Sequence, residues 1–364
     1  MKNLLKDIKY DYVEYFVGMA KMVTYWHVHA LGFEVKGYCG PETGVANKVS
    51  YFLQKNDAKL VISSASGPGS YNIVSFVDLH GNGIKRISVQ TQNVASFFEE
   101  AVKNGAIPIQ APYTMEDDHG KVEQATIKLF DDNEMNFIDY TNYHGEMLPG
   151  YVPVGDEWIK PRMDSQITNV DHIACALREN EIPMWEKYLN DIFASSTIQE
   201  FGKGEVEGNK SGLVLKVLQS ENKAINNVLV EPDNQSGKSQ VQVFIDKNYG
   251  TGIQHIAFST PNIFKTLDAI RGKGVVLSKY PSSYYDLLKE KYPDLDVEKL
   301  KQYNILCDVE DGAMLLQTFT TPIGDRPTLF YEIVQRVNDY QGFGLGNINT
   351  LFEAVEKEMD LASK

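Results

Sequence analysis

The sequence predicts an α+β fold of curled sheets built by duplication, with two domains in tandem and two βαβββ modules in each. Three observations predict it. The stretch from Gly81 to Val94 aligns without a gap on Gly250 to Ile263, and six of the fourteen positions are identical. Strand-like and helix-like segments flank each copy in the same order. A strand–helix–strand unit cannot bury its own apolar face, so its recurrence calls for sheets that pack and close together.

Each element follows from local pattern. Tyr10 to Val17 is rich in aromatic and β-branched residues, as strands are, and leads to a helix over Ala20 to Leu31. Ile73 to Asp78 reads as a strand ending in aspartate, and so does its counterpart Val241 to Asp246. After the repeat, Val94, Phe97, Phe98, Ala101 and Val102 recur at helical spacing, as do Ile263, Leu267 and Ile270. Both helices are expected to stop at a glycine, Gly105 or Gly274, with a short strand beyond, Ala106 to Ile109 or Val275 to Leu277. Val170 to Leu177 and a helix over Ile182 to Phe193 repeat the opening strand and helix, and Trp185 answers Trp26. Asn136 to Tyr140 parallels Leu329 to Ile333 as a closing strand. The polar run from Tyr143 to Ser165, with Pro149, Gly150, Pro153, Gly155 and Pro161, marks the boundary between a domain over 1–150 and a second over 151–364. The tail carries the glycine-rich stretch Gln341 to Gly346. A helix follows over Asn349 to Met359, with Leu351, Phe352, Val355 and Met359 on one face.

Composition narrows the function. A chain of 364 residues with 43% hydrophobic content can bury a large core. The net charge of −14 argues against a partner that is nucleic acid or an anionic membrane. No stretch approaches the roughly 20 apolar residues of a membrane span. Cys39, Cys175 and Cys307 lack CxxC spacing, and the first residues lack the apolar core of a signal peptide, so a cytoplasmic setting is expected.

The chemistry lies where the two halves disagree. Arg86 stands against His255, Tyr12 against His172 and Asp139 against Glu332. The second-half residues are flanked by apolar neighbours, each in a strand of a different module, and a buried carboxylate is costly unless paired or metal-bound. Two imidazoles and one carboxylate form the facial triad of non-haem Fe(II) oxygenases, which leaves three coordination positions open for substrate and O₂. Tyrosine and arginine cannot replace neutral imidazole, so the first half is expected to be structural and metal-free. His27 and His29 are expected on a helix surface, and His80, His119 and His144 in surface loops. The glycine pairs Gly81/Gly83 and Gly250/Gly252 open no GxGxxG turn, and there is no P-loop.

Several motifs then point to one family. Val170-Asp171-His172, Gly252-Ile253-Gln254-His255-Ile256-Ala257, Ser283-Tyr284-Tyr285-Asp286, Leu315-Leu316-Gln317-Thr318-Phe319, Asp325-Arg326-Pro327-Thr328-Leu329-Phe330-Tyr331-Glu332 and Gln341-Gly342-Phe343-Gly344 together resemble the 4-hydroxyphenylpyruvate dioxygenase and 4-hydroxymandelate synthase family of the vicinal oxygen chelate superfamily. The resemblance covers nearly the whole chain. It implies two tandem vicinal-oxygen-chelate domains, each a curled, half-open barrel, with a C-terminal lid helix. It implies one Fe(II) per chain on His172, His255 and Glu332, which would be the catalytic centre. A 2-oxo acid would chelate the iron through its carboxylate and keto oxygens, lose CO₂ in reaction with O₂, and be oxidised further as the same molecule. It also implies a homo-oligomer, a dimer or tetramer.

The pocket departs from the dioxygenase pattern. Gln240 and Gln317 match pocket glutamines, and Phe319, Phe330 and Phe343 match pocket aromatics. Where those dioxygenases read Pro-Ile-Asn-Glu-Pro, this chain has Val228-Leu229-Val230-Glu231-Pro232, so Val230 replaces an asparagine. Leu215 replaces a serine and Ile348 a phenylalanine. The synthase branch is also aliphatic at the positions of Val230 and Ile348. An unpaired buried hydroxyl costs about 1–3 kcal/mol, so this pocket is expected to favour an apolar side chain. The alternatives are a homogentisate-forming dioxygenase and a ligand-binding relative without turnover.

Overall fold

Four βαβββ modules follow one another along the chain. The first runs β1 (Lys9–Phe16), α1 (Ala20–Leu31), β2 (Glu34–Cys39), β3 (Lys48–Lys55) and β4 (Ala58–Ala65). Helix α2 (Tyr71–His80) leads to the second: β5 (Gly83–Gln90), α3 (Val94–Lys103), β6 (Pro108–Asp117), β7 (Gly120–Leu129) and β8 (Asn133–Tyr143). The short β9 (Val152–Pro153) follows. The third module is β10 (Val170–Ala176), α4 (Ile182–Phe193), β11 (Ser196–Phe201), β12 (Gly212–Gln219) and β13 (Asn226–Asp233). Helix α5 (Gln240–Asn248) leads to the fourth: β14 (Gly252–Ser259), α6 (Ile263–Ile270), α7 (Ser282–Lys291), α8 (Val297–Gln302), β15 (Leu306–Glu310), β16 (Ala313–Phe319) and β17 (Phe330–Val337). This computed structural model describes residues 5–155, 158, 160–202, 212–233, 239–351 and 354.

Each half is one curled, half-open barrel. The first sheet has the order β6-β7-β8-β5-β1-β4-β3-β2-β9, and the second β11-β12-β13-β10-β14-β17-β16-β15. Apart from β9 these are the same order read in opposite directions. Within each sheet the two modules join through one antiparallel pair, β1 with β5 and β10 with β14. Among the described residues no helix is long and apolar enough to cross a membrane.

Four local expectations are corrected. Ile73 to Asp78 and Val241 to Asp246 are helical, within α2 and α5. Their β-branched residues imitate a strand, but the buried sets Ile73, Phe76, His80 and Val241, Phe244, Ile245 have helical spacing. Val275 to Leu277 makes only a single bridge, from Leu277 to Thr320, and α7 and α8 intervene before the next strand. Helix α6 ends at Ile270, ahead of Gly274, while α3 ends at Lys103 beside Gly105. The tail turns helical at residue 345, earlier than expected, and Phe352, Val355 and Met359 lie outside the described residues.

The six identities of the repeat have structural causes. Asn93 and Asn262 are N-caps whose side chains accept from the amides of Ser96 and Lys265, each worth about 1 kcal/mol. Ile84, Ile87, Ile253 and Ile256 are core residues, and Thr91 and Thr260 are buried. Gly81 and Gly250 have φ of +78° and +151°, where a side chain would be strained. A Cβ on Gly252 would lie 2.7 Å from the Asn248 side chain.

One apolar core runs between the halves, from Val13, Val28 and Ile62 to Ile173, Ile256 and Phe258. His27 sits inside it at 0% exposure, contrary to the surface expected for it, while His29 is exposed. Its Nδ1 lies 2.7 Å from the Val23 carbonyl oxygen, so Nδ1 carries the proton. Nε2 therefore accepts from the Tyr331 hydroxyl at 2.6 Å, and the Tyr15 hydroxyl lies 3.1 Å from that of Tyr331. Burial holds the His27 pKa down at about 4. His80 is also buried rather than in a loop. It ends α2, with Nδ1 on the Asn248 carbonyl at 2.6 Å and Nε2 3.1 Å from Asp132. His119 and His144 are exposed.

The place in the first barrel that corresponds to the candidate triad is filled by side chains. Ala257 pairs with Glu332, and its repeat partner Ser88 pairs with Asn136, so Asn136, not Asp139, is the counterpart of Glu332. Closing strands of unlike sequence can be aligned only through this ladder. Asn136 donates to Tyr12, Ser88 and Gln124 at 3.3, 3.2 and 3.1 Å. Arg86 bonds Glu14 at 3.0 Å and Glu134 at 2.6 Å, and Lys48 reaches Glu14 at 3.2 Å. Burial alone would raise the Glu14 pKa, but Lys48 and Arg86 bring it down to about 2.

Two outcomes are expected. Arg86→Ala leaves Glu14 buried with one cation fewer and should cost about 3 kcal/mol in denaturant unfolding without changing bound metal per chain. His27 is neutral when folded and protonates below about pH 6.5 when unfolded, so its contribution is full above that pH and lost as pH falls toward 4. Between pH 6.5 and 5 wild-type stability should therefore fall by about 2 kcal/mol more than that of His27→Gln.

Candidate metal centre

Strand β14 lies between β10 and β17, antiparallel to the first and parallel to the second. In this register Ala257 faces His172 on one side and Glu332 on the other. His255 lies two residues back on β14, which puts it on the same face. His172 belongs to the third module, and His255 and Glu332 both belong to the fourth, so two modules build the site rather than three. Ala257 contributes only a methyl group between its two neighbours, which leaves the middle of the triad open.

The three side chains are 5%, 9% and 2% exposed. Glu332 Oε2 lies 3.0 Å from His172 Nε2 and 3.2 Å from His255 Nε2. One ligand atom from each lies within 4.8 Å of the others, and among the described residues no second group of three such side chains converges in this way. A first-row divalent ion sits about 2.1 Å from an imidazole nitrogen, so adjacent octahedral ligands are about 3.0 Å apart. The donor set and its spacing fit Fe(II) held by one face of an octahedron.

The surroundings orient these donors. His172 Nδ1 is 2.9 Å from Asp171 Oδ1, which turns Nε2 toward Glu332. Asp171 also receives a two-pronged bond from Arg336, at 2.8 and 2.9 Å, and one from the Ser259 hydroxyl at 3.0 Å. His255 stacks on Phe330 at 4.7 Å and meets the edge of Phe319 at 5.6 Å. Burial would raise the Glu332 pKa, but the two histidines hold it at about 2. Burial would lower the His172 pKa, yet Glu332 and Asp171 raise it to about 9, while for His255 burial prevails and the shift is downward. A cation bound to these donors would have to displace the proton that the two carboxylates favour on His172.

Beside the triad the concave face is apolar. Leu215 pairs with Val230 and Val217 with Val228 across β12 and β13, and Ala174 and Ala176 pack with them. Phe343 is buried in this group, and Leu345 and Ile348 pack against it from the tail. Gln317 is buried with Oε1 unpartnered, and its side chain lies against Gly344. Gln240 is apart from these residues, exposed at the first position of α5, while Val241 and Phe244 of that helix join the apolar group. Sequence reasoning passed over Phe201, Val217 and Phe244. It also gave no role to Asp171, though it adjoins His172 in the chain, or to Arg336, which local pattern cannot connect to a residue 165 positions away.

Comparison with known proteins agrees with this geometry. No family model matches the chain. It is 31% identical to a 4-hydroxyphenylpyruvate dioxygenase of Danio rerio, over 98% of this chain and 91% of that protein. It is 32% identical to one of Yarrowia lipolytica, over 96% of this chain and 91% of that protein. A mutant 4-hydroxymandelate synthase from Streptomyces coelicolor superposes with a TM-score of 0.83 at 28% identity, covering 96% of this chain and 98% of that one. A fusion of a xylose isomerase-like TIM barrel with a 4-hydroxyphenylpyruvate dioxygenase shares the fold at a TM-score of 0.71 and 19% identity, over 96% of this chain and 52% of that one. Near-complete coverage, a common fold and an intact His-His-Glu face all agree: the chain belongs to the 4-hydroxyphenylpyruvate dioxygenase family, non-haem Fe(II) 2-oxo acid dioxygenases of the vicinal oxygen chelate superfamily.

Proposed function

We propose that this enzyme decarboxylates an arylpyruvate-type 2-oxo acid and hydroxylates the side chain of the same molecule, as a 4-hydroxymandelate synthase does. The supporting observation is the aliphatic wall made by Leu215, Val217, Val228 and Val230 beside the triad. One oxygen atom of O₂ ends in the new carboxylate and the other in the new hydroxyl, with CO₂ released. Iron, when bound, would supply Lewis acidity and a site for O₂. The chain supplies the rest. His172, His255 and Glu332 would hold the metal and leave room beside it for the 2-oxo acid. The wall, with Phe319, Phe330 and Phe343, receives the side chain and keeps water out. Gln317, with its free acceptor, supplies a polar contact. The segment from Gly342 closes the pocket as a lid through Phe343, Leu345 and Ile348. Gly344, at φ +77°, is its hinge. Gly346 is less suited to that role, because its amide is bonded to Asp308.

The wall offers a phenol hydroxyl no partner, so an apolar ring or a branched aliphatic chain suits it better. Incubation with Fe(II), O₂ and hydroxyphenylpyruvate, phenylpyruvate or 4-methyl-2-oxopentanoate tests this. The expected products carry a side-chain hydroxyl, and kcat/KM for phenylpyruvate should at least equal that for hydroxyphenylpyruvate. Homogentisate as the main product from a preferred phenolic substrate would overturn the reading. Leu215→Ser with Val230→Asn should move the preference toward the phenol by about tenfold. His172→Ala, His255→Ala and Glu332→Ala should each abolish O₂ uptake, whereas Arg86→Ala should retain it.

A further inference from the structure

Arg336 stands on β17, one helical-turn's count of residues beyond Glu332, and every arm of its guanidinium is engaged. Nη2 and Nε grip the two oxygens of Asp171 at 2.8 and 2.9 Å. Nη1 donates to the carbonyl oxygens of Tyr340 and Gly342, at 3.0 and 2.7 Å. The guanidinium lies over the Phe343 ring at 4.7 Å, and that ring also makes a T-shaped contact with His172 at 5.3 Å. An unbroken line therefore runs from the first residues of the tail through Arg336 and Asp171 to Nδ1 of His172. Gln199 and Asp308 also hold this stretch of tail: Gln199 Oε1 accepts from the Phe343 amide at 2.8 Å, and Asp308 Oδ2 accepts from the Tyr340 hydroxyl at 2.8 Å and the Gly346 amide at 3.0 Å. Neither of these reaches the triad.

The first half is an internal control. Asp11 holds the place of Asp171, and Tyr140, four residues past Asn136, holds the place of Arg336. The pair survives as a bond from the Tyr140 hydroxyl to Asp11 at 2.8 Å. A single hydroxyl cannot also hold two backbone carbonyls. The forked cation occurs in the half where there is both a histidine to orient and a tail to hold.

We propose that Arg336 is a positioning residue that makes closure of the tail and orientation of His172 a single event, so that metal binding and tail closure favour each other. This rests on the triad holding a divalent cation, and it does not depend on which 2-oxo acid the pocket takes. An arginine suits the task because its planar fork fixes both partners in one geometry. By thermodynamic linkage, a metal that fixes His172 must then stabilise the closed tail, and a loosened tail must weaken the metal.

The test uses the full chain with Co(II) as the probe. Binding is followed by visible absorption, and deuterium uptake is measured over residues 340–351. In the wild type, saturating Co(II) should slow exchange in this segment by about tenfold. In Arg336→Gln that protection should vanish at saturating Co(II), and Co(II) affinity should fall by about 10- to 100-fold. Asp308→Asn should loosen the tail in the metal-free chain, yet leave a Co(II)-dependent slowing. Equal protection in Arg336→Gln and wild type overturns the proposal, and so does a wild type whose exchange is indifferent to Co(II). Should Arg336→Gln not fold, Asp171→Asn makes the same comparison: lost protection supports the coupling, and retained protection overturns it. Wild-type Co(II) binding reports on the triad separately, so a failure of the cation site is distinguishable from a failure of the coupling.

Discussion

The register of β14 between β10 and β17 is the constraint on which the centre depends. Side chains alternate across a strand, so a slip of one residue would carry Glu332 or His172 to the opposite face of the sheet. Ile256 and Phe258 fix that register from the other side, because they must enter the core shared with the first half. The alternation that buries those residues also turns His255 and Ala257 into the barrel. Metal geometry is thus a by-product of core packing, and Asp171 adds only the last rotation of one ring.

The two barrels show how a duplicated frame can carry different chemistry. The identical positions of the repeat are caps, turns and core contacts, and none is a ligand. The differing positions hold either a metal face or an ion network. In the first barrel Arg86 brings a fixed positive charge to a buried carboxylate, whereas in the second the carboxylate is left to two histidines. Burying a carboxylate without such compensation would cost several kcal/mol in either place.

Much of this was legible in the sequence, and the failures have physical causes. Helices α1 and α4 and the two histidines were readable from periodicity and from the repeat. The strand assigned to Val241–Asp246 failed because short apolar runs look alike in helix and strand. His27 failed because amphipathic spacing does not reveal that a second half packs over the helix. Asp139 was preferred to Asn136 because carboxylates resemble each other in a line of text, whereas the ladder compares positions. Asp171 and Arg336 carry no signal in local pattern, since their meaning comes from meeting across 165 residues.

The hydroxyl of Tyr331, the residue beside Glu332, is handed to a histidine of the first half. Here the first half supplies the acceptor for a buried hydroxyl next to a triad residue, and its core is continuous with that of the second half. Cutting the chain between its halves would strip one wall from the strand that carries Glu332 and leave the Tyr331 hydroxyl without its acceptor.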